Sequence, residues 1–132
     1  MKNIGKINYS MEAEGAELGD VRLQGSYSIA MTGLTMPLKT DIVLAKAGAN
    51  VVVGLGGITT VKFLYIKAVF PTTYTETDAT IELLINDGGG EITMTGTQFM
   101  LVDTDITSIK LTNNSHDTTG ADATVFIDLG GV

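Results

Sequence analysis

Apolar and polar residues alternate along most of this chain, as they do in β-strands that bury one face. The clearest segment is residues 79–86, where Ile81, Leu83 and Ile85 occupy every second position. Similar alternation recurs in residues 4–12, 21–34, 40–46, 108–112 and 121–129, and further strand segments are residues 51–53, 91–95 and 98–102. No segment sustains the period of an amphipathic helix. The pattern therefore predicts roughly eight to ten short strands.

Turn-forming residues separate these segments. Residues 87–90, Asp-Gly-Gly-Gly, are typical of a hairpin turn because Asp and Gly tolerate positive φ. Residues 33–39 contain Pro37 and are predicted to form a connection, and residues 103–105, Asp-Thr-Asp, a further turn. Many short strands between such turns indicate an all-β fold, an antiparallel β-sandwich of jelly-roll-like topology in a single domain.

The longest apolar run, residues 61–70, lies at the middle of the chain. Its β-branched and aromatic residues, with glycine before it and Pro71 after it, predict a strand. A strand with one exposed face would alternate, but both faces of this one are mostly apolar. Leu64, Ile66 and Phe70 lie on the face that is expected to need a second cover. Either the N-terminal segment or a neighbouring subunit is expected to provide it.

Residues 1–12 are expected to form a separate N-terminal strand or arm, and residues 13–132 the β-sandwich domain. Ile7, Tyr9 and Met11 alternate with polar residues in the first segment. A terminal strand of this kind can become ordered on a neighbouring molecule. The candidates for a subunit interface are therefore Ile7, Tyr9, Met11, Leu64, Ile66 and Phe70.

Composition and charge narrow the function classes. The chain has 132 residues and a formal net charge of -7, and Arg22 is its single arginine. Such an acidic surface repels a phosphate backbone, so nucleic acid is not an expected partner. No apolar segment has the length of a membrane helix and no signal peptide is evident, so a soluble chain without a membrane partner is expected. The absence of cysteine excludes disulfides and thiolate metal sites.

No motif meets the requirements of an enzyme. His116, the single histidine, lies between Ser115 and Asp117, but neighbours in sequence do not converge on one atom as a catalytic triad requires. Residues 54–57, Gly-Leu-Gly-Gly, precede a predicted strand rather than the helix that a phosphate-binding loop needs. No catalytic residue and no cofactor are therefore expected.

Three acidic turns carry oxygen ligands of the type that calcium prefers. They contain Asp87, then Asp103 with Asp105, and Glu76 with Asp78. Calcium takes about six to eight oxygens, so two of these turns would have to meet at one end of the fold. Aspartate in turns more often caps backbone amides, so no metal site is expected.

The C-terminal part of the chain carries a characteristic order of segments. They are residues 62–67, 79–86, 96–101 and 106–115, and the closing residues 123–131. This order resembles that of small β-sandwich virion proteins of tailed bacteriophages, which often end in leucine-x-asparagine, an apolar strand and glycine. The resemblance covers about residues 50–132, and it carries over no catalytic residue.

The resemblance implies a non-enzymatic structural protein of a bacteriophage particle, located in the virion as a capsid decoration, minor head or tail-associated protein. Its implied partners are further copies of itself and other virion proteins. The surplus apolar face of the central strand also favours a symmetric homo-oligomer. The alternative is a carbohydrate- or receptor-binding module of a tail fibre or baseplate. In that module Tyr9, Tyr27, Tyr65 and Tyr74 would offer aromatic platforms.

Overall fold

The computed structural model describes residues 2–13, 21–32, 35–74, 79–115 and 120–132. These residues form ten β-strands and no helix, which confirms the predicted all-β fold. The strands are β1 (Lys2–Ala13), β2 (Val21–Thr32), β3 (Thr35–Leu44), β4 (Val51–Val52), β5 (Val61–Val69), β6 (Ile81–Ile85), β7 (Ile92–Gly96), β8 (Gln98–Ile106), β9 (Ile109–Asn113) and β10 (Ala123–Gly131). The chain divides into two compact units, Met1–Gly33 and Leu34–Val132.

The first unit is a long antiparallel hairpin. Its strands β1 and β2, of 12 residues each, pair from Lys2 opposite Thr32 to Ala13 opposite Val21. The division between the units follows residue 33, whereas the sequence placed the end of the arm at residue 12. The reason is that β2 pairs with β1, and the described residues form a separate two-stranded sheet from these two strands.

The second unit is a sandwich of two antiparallel sheets, which in its described residues have four strands each. Their strand orders are β3-β10-β5-β8 and β4-β9-β6-β7. The pairing is nested: the outermost strands of the unit, β3 and β10, pair with each other, then β4 with β9, β5 with β8, and β6 with β7. A long antiparallel ribbon folded over in this way is a jelly roll. The predicted antiparallel sandwich is confirmed.

The inward faces of the two sheets enclose one hydrophobic core. Every second residue of β6 is buried, namely Ile81, Leu83 and Ile85, as the alternation predicted. The same holds for β9 and for most of β10. The largest fully buried side chains are Leu44, Leu64, Ile66, Ile81, Leu83, Ile106, Ile109, Leu111, Ile127, Leu129, Val61 and Val125.

The central strand β5 buries only one of its two apolar faces. Leu64 and Ile66 are 0% exposed and belong to the core between the sheets. Tyr65 on the opposite face is half-buried, and Lys67 is exposed. Because the second sheet covers the Leu64 face within the same unit, neither an arm nor a neighbouring subunit is needed there. Leu64 and Ile66 are therefore corrected from interface candidates to core residues.

Two of the predicted connections are parts of strands. Pro37 lies within β3, which accommodates it because β3 is an edge strand of its sheet. The predicted turn at residues 103–105 lies within β8, where the pairing with β5 shifts register between Val61 and Phe63. Such a shift marks a β-bulge, which turn-like residues favour without ending the strand. Thr104 Oγ1 donates to the carbonyl of Val61 at 3.1 Å beside the shift.

A close backbone contact ends β10. A Cβ added at Gly131 would lie 2.0 Å from the carbonyl oxygen of Thr60, so a residue with a side chain cannot occupy the position without a shift of the backbone. Beside it, Val132 donates to the carbonyl of Thr60 at 3.0 Å and accepts from the amide of Thr60 at 2.9 Å. This contact fastens the last residues to the start of β5.

Candidate functional site

Two acidic turns meet at one end of the sandwich, where Asn86 joins them. Asn86 has a left-handed φ of 55°, and its Oδ1 accepts hydrogen bonds from the amide and the hydroxyl of Thr107 at 2.8 and 3.2 Å. Its Nδ2 donates to the carbonyl of Asp105 at 3.1 Å, and the amide of Asp87 donates to Oγ of Ser108 at 3.1 Å. The turn between β6 and β7 is thereby held against the turn between β8 and β9.

Two carboxylates at this end form ion pairs with lysines. Asp87 pairs with Lys110, and Asp105 pairs with Lys62. The hydrogen bond from Lys110, together with its charge, lowers the pKa of Asp87 below its ordinary value. In the part of the chain that the structure describes, no group of three or more His, Cys, Asp or Glu is placed to hold a metal ion. Asp87, in the turn after β6, and Asp105, near the end of β8, are therefore each paired with a lysine.

A buried asparagine holds the other end of the sandwich together. Asn113 donates from Nδ2 to the carbonyl oxygens of Leu44 at 3.0 Å and Ala121 at 2.9 Å. Its Oδ1 accepts from the amide of Ser115 at 2.9 Å, and Oγ of Ser115 donates to Ala121 at 3.2 Å. Both the amide and the hydroxyl of Ser115 are thus engaged within the loop. His116 and Asp117, and the acidic residues Glu76 and Asp78, lie outside the described residues.

The remaining interface candidates are divided between the two units, with Phe70 in the second and the other three in the first. Phe70 is half-buried, packs against the core, and stacks on Tyr74 with 5.9 Å between the ring centroids. Ile7, Tyr9 and Met11 lie on β1, and the structure describes only their backbone, which pairs with β2. An interface role for these four residues stays a prediction.

The outer face of the β3-β10-β5-β8 sheet carries an apolar surface that the sequence pattern did not single out. Phe126 is 45% exposed on β10, and two residues along the strand Thr124 is flanked by Val43 (69%) on β3 and Val69 (42%) on β5. Met100 (55%) lies on β8, next to β5. Large apolar side chains that cluster on the surface of a soluble domain mark interaction sites. We call Val43, Val69, Met100 and Phe126 the outer patch.

Charged groups border the outer patch. Asp41 on β3 and Lys67 on β5 are the cross-strand neighbours of Phe126. Two residues further along β10, Nζ of Lys39 lies 3.6 Å from Oδ1 of Asp128. A shallow depression of about 510 Å³ lies among Lys39, Thr40, Asp41, Tyr65, Lys67, Phe126 and Asp128. An apolar centre with a charged border is typical of a protein interface.

One signal in the sequence could have pointed to this surface. Phe126 stands between Val125 and Ile127, at a position that strict alternation assigns to water. Aromatic residues are enriched at protein interfaces, so this position departs from the pattern of a strand with one face in water. The signal was hidden because three consecutive apolar residues are also typical of a strand that is buried on both faces.

Within the described residues, no helix is long and apolar enough to cross a lipid bilayer. A comparison with protein-family models, with curated proteins and with solved structures finds no match for this chain. The functional interpretation therefore rests on the residues, the topology and the outer patch.

Proposed function

We propose that this chain is a non-enzymatic structural protein of a bacteriophage particle, a capsid decoration, minor head or tail-associated protein that assembles symmetrically through its sandwich. The observation that carries the proposal is the outer patch, in which Val43, Val69, Met100 and Phe126 expose apolar surface on one sheet. Exposed apolar surface is unfavourable in water, and burial against a partner removes that cost.

The topology supports the same proposal. Eight-stranded jelly rolls recur in viral capsid proteins, and the architecture also serves lectins and cupins. A shared fold does not choose among these functions. The choice of a virion protein rests on the resemblance of residues 50–132 to phage virion proteins and on a surface suited to assembly.

The hairpin supplies a second element for attachment. An isolated two-stranded hairpin is at best marginally stable in water, so a ribbon of this length is expected to gain stability from a further surface. In the proposed role, a neighbouring molecule of the particle offers such a surface to β1 and β2.

The alternative is a carbohydrate- or receptor-binding module of a tail fibre or baseplate. The depression on the outer face favours it, since Tyr65 lies there beside Asp41 and Asp128. Carboxylates accept hydrogen bonds from sugar hydroxyls, and an aromatic ring can cover the apolar face of a sugar. A glycan-array screen of the wild type and of Tyr65→Ala, with and without a chelator, tests this alternative. Binding that Tyr65→Ala abolishes would favour it over a purely structural role.

Direct localisation tests the main proposal. Purified particles are expected to contain the chain in a fixed ratio to the major head or tail protein when measured by quantitative mass spectrometry. Electron microscopy of the same particles is expected to show the jelly roll at symmetry-related positions. Particles that are intact, infectious and free of this chain would rule the proposal out.

A further inference from the structure

The residues around Phe126 are arranged symmetrically about β10. Inward residues of β10 fill the core, so Thr124, Phe126 and Asp128 point outward, and their cross-strand neighbours share that face. The neighbours of each on β3 and β5 are Val43 and Val69 for Thr124, Asp41 and Lys67 for Phe126, and Lys39 and Tyr65 for Asp128. The row of Thr124 therefore has an apolar residue on both sides, the row of Phe126 has a negative and a positive residue, and the row of Asp128 has a cation and an aromatic ring.

We propose that this face binds a second copy of the chain across a two-fold axis that runs along β10. Such a rotation exchanges β3 and β5, because both lie next to β10. It sets Val43 against Val69 of the second copy and Asp41 against Lys67 of the second copy. A two-fold interface requires this kind of self-complementary surface.

The same rotation also determines which residues meet on the axis and which meet at the edge of the interface. Phe126 lies on the axis and packs against Phe126 of the second copy, which buries the largest side chain of the outer patch. Lys39 reaches the ring of Tyr65 of the second copy, a favourable geometry for a cation and an aromatic face. Asp128 also lies on the axis, and Lys39, at 3.6 Å, offsets the charge that it presents to its counterpart.

The second sheet does not offer a comparable surface in its described strands. Its exposed large apolar residues are Val51 and Val52 on β4 and Ile92 on β7. These strands are the two opposite edges of the sheet, so the residues are separated by β9 and β6. Two face-to-face sheets aligned within about 30° are a common packing in sandwiches. Of the two described sandwich sheets, the β3-β10-β5-β8 sheet has an exposed large apolar side chain, Phe126, on a central strand.

The proposed dimer rests on the proposed function. Symmetric assembly was proposed through the outer patch, and the dimer identifies a second copy of the chain as the partner of that surface. A charge exchange tests it in the purified full-length chain by analytical ultracentrifugation. Asp41→Lys and Lys67→Asp are each expected to weaken dimerisation by about tenfold or more, since each creates two like-charge contacts in the dimer. The double variant restores opposite charges and is expected to return dimerisation to near the wild-type level.

A cross-linking experiment places the axis independently. The chain has no cysteine, so Phe126→Cys introduces a single thiol on the axis. Facing sheets lie about 10 Å apart, so a bismaleimide of similar span is expected to join two copies efficiently. Ile92→Cys, at a 53% exposed position of the other sheet, is the matched control and is expected to remain uncoupled. Circular dichroism and thermal melting establish that both variants are folded.

Several outcomes overturn the dimer. One is a wild-type chain that stays monomeric at the highest soluble concentration. Another is a double charge variant that fails to recover association. If the chain is present in particles but the position-126 thiols do not couple there or in solution, the dimer fails alone. If coupling occurs but particles lack the chain, the dimer stands and the virion role fails.

Discussion

Among single residues, Asn113 shows how a polar side chain stabilises this apolar sandwich. Its amide group satisfies two carbonyl oxygens and one amide from three separate positions, Leu44, Ala121 and Ser115. Buried polar groups that lose their partner cost more than the bond itself contributes, because water cannot replace the partner. The hydrogen bonds of Asn113 and Ser115 are therefore all made within the chain, where they fix the loop against the sandwich.

Asn113→Ala is expected to lower the free energy of unfolding by about 2–4 kcal/mol, since it leaves buried carbonyl and amide groups without partners. Urea denaturation followed by circular dichroism measures the change. Asn114→Ala is the control, because the neighbouring side chain is exposed, and its effect is expected to stay within about 0.5 kcal/mol. Similar effects of the two substitutions would contradict the stabilising role of the Asn113 hydrogen bonds.

The ion pair between Asp87 and Lys110 predicts a pH-dependent contribution. Because Lys110 lowers the pKa of Asp87, the folded state holds the carboxylate charged at pH values where the unfolded chain begins to bind a proton. The ion pair therefore contributes its full stabilisation at pH values above the ordinary pKa of aspartate. The stabilisation is lost as the pH falls through the lowered pKa of Asp87. Lys110→Gln is expected to raise the pKa of Asp87 in a carboxyl NMR titration, whereas Lys39→Gln, on the other sheet, is expected to leave it unchanged. An unchanged pKa in Lys110→Gln would show that the pair does not form in solution.

Among the elements, β5 shows that two apolar faces need not be equivalent. The face with Leu64 and Ile66 packs on the opposite sheet, and the face with Tyr65 and Lys67 belongs to the outer surface. The sequence does not distinguish the two faces of β5, because Phe63, Tyr65 and Val69 on the outer face are as apolar in character as the core residues. Strand pairing and the position of the second sheet decide which face is enclosed.

Leu64→Ser combined with Ile66→Ser is expected to prevent folding. Each truncation of a fully buried side chain costs about 2–5 kcal/mol, and their sum approaches the whole stability of a small domain. The control is Tyr65→Ser combined with Lys67→Ser on the same strand, which is expected to stay folded and to lose self-association. Dispersion of amide signals in NMR spectra and thermal melting separate the two variants. A folded, fully associating Leu64 and Ile66 variant would contradict the core assignment.

For the whole molecule, the two units differ in what they need to fold. The eight strands of Leu34–Val132 complete both sheets, and the described hydrophobic core draws all its residues from this unit. A hairpin has no such enclosed core. The sandwich is therefore expected to be the stable unit of the chain, and the hairpin the part whose order depends on its surroundings.

A fragment of residues 34–132 is expected to fold on its own and to unfold in one cooperative transition within a few degrees of the full-length chain. A peptide of residues 1–33 is expected to lack stable structure in dilute solution, since an isolated two-stranded hairpin is marginal in water. Differential scanning calorimetry and circular dichroism measure both. A fragment that is expressed unfolded, while the full-length chain folds, would show that the hairpin completes the sandwich.

Local pattern was sufficient for the class of fold and for the core of several strands. The alternation in β6, β9 and β10 identified Ile81, Ile109 and Ile127 as inward residues, because burial on one face of a pleated strand imposes a two-residue period. Glycine and aspartate identified the turn after β6, where Asn86, Gly88 and Gly90 have positive φ. These features depend on near neighbours, so the sequence by itself determined them.

The tertiary structure decided the features that depend on strands far apart in the chain, namely the strand order and the composition of each sheet face. β10 lies between β3 and β5, which no local pattern specifies. That placement makes β3 an edge that tolerates Pro37, sets Leu64 in the core, and brings Asp41, Phe126 and Lys67 into one row of the outer face. A surface is built from strands that pair over long separations, so the outer patch, unlike the strands that form it, becomes visible only after the chain is folded.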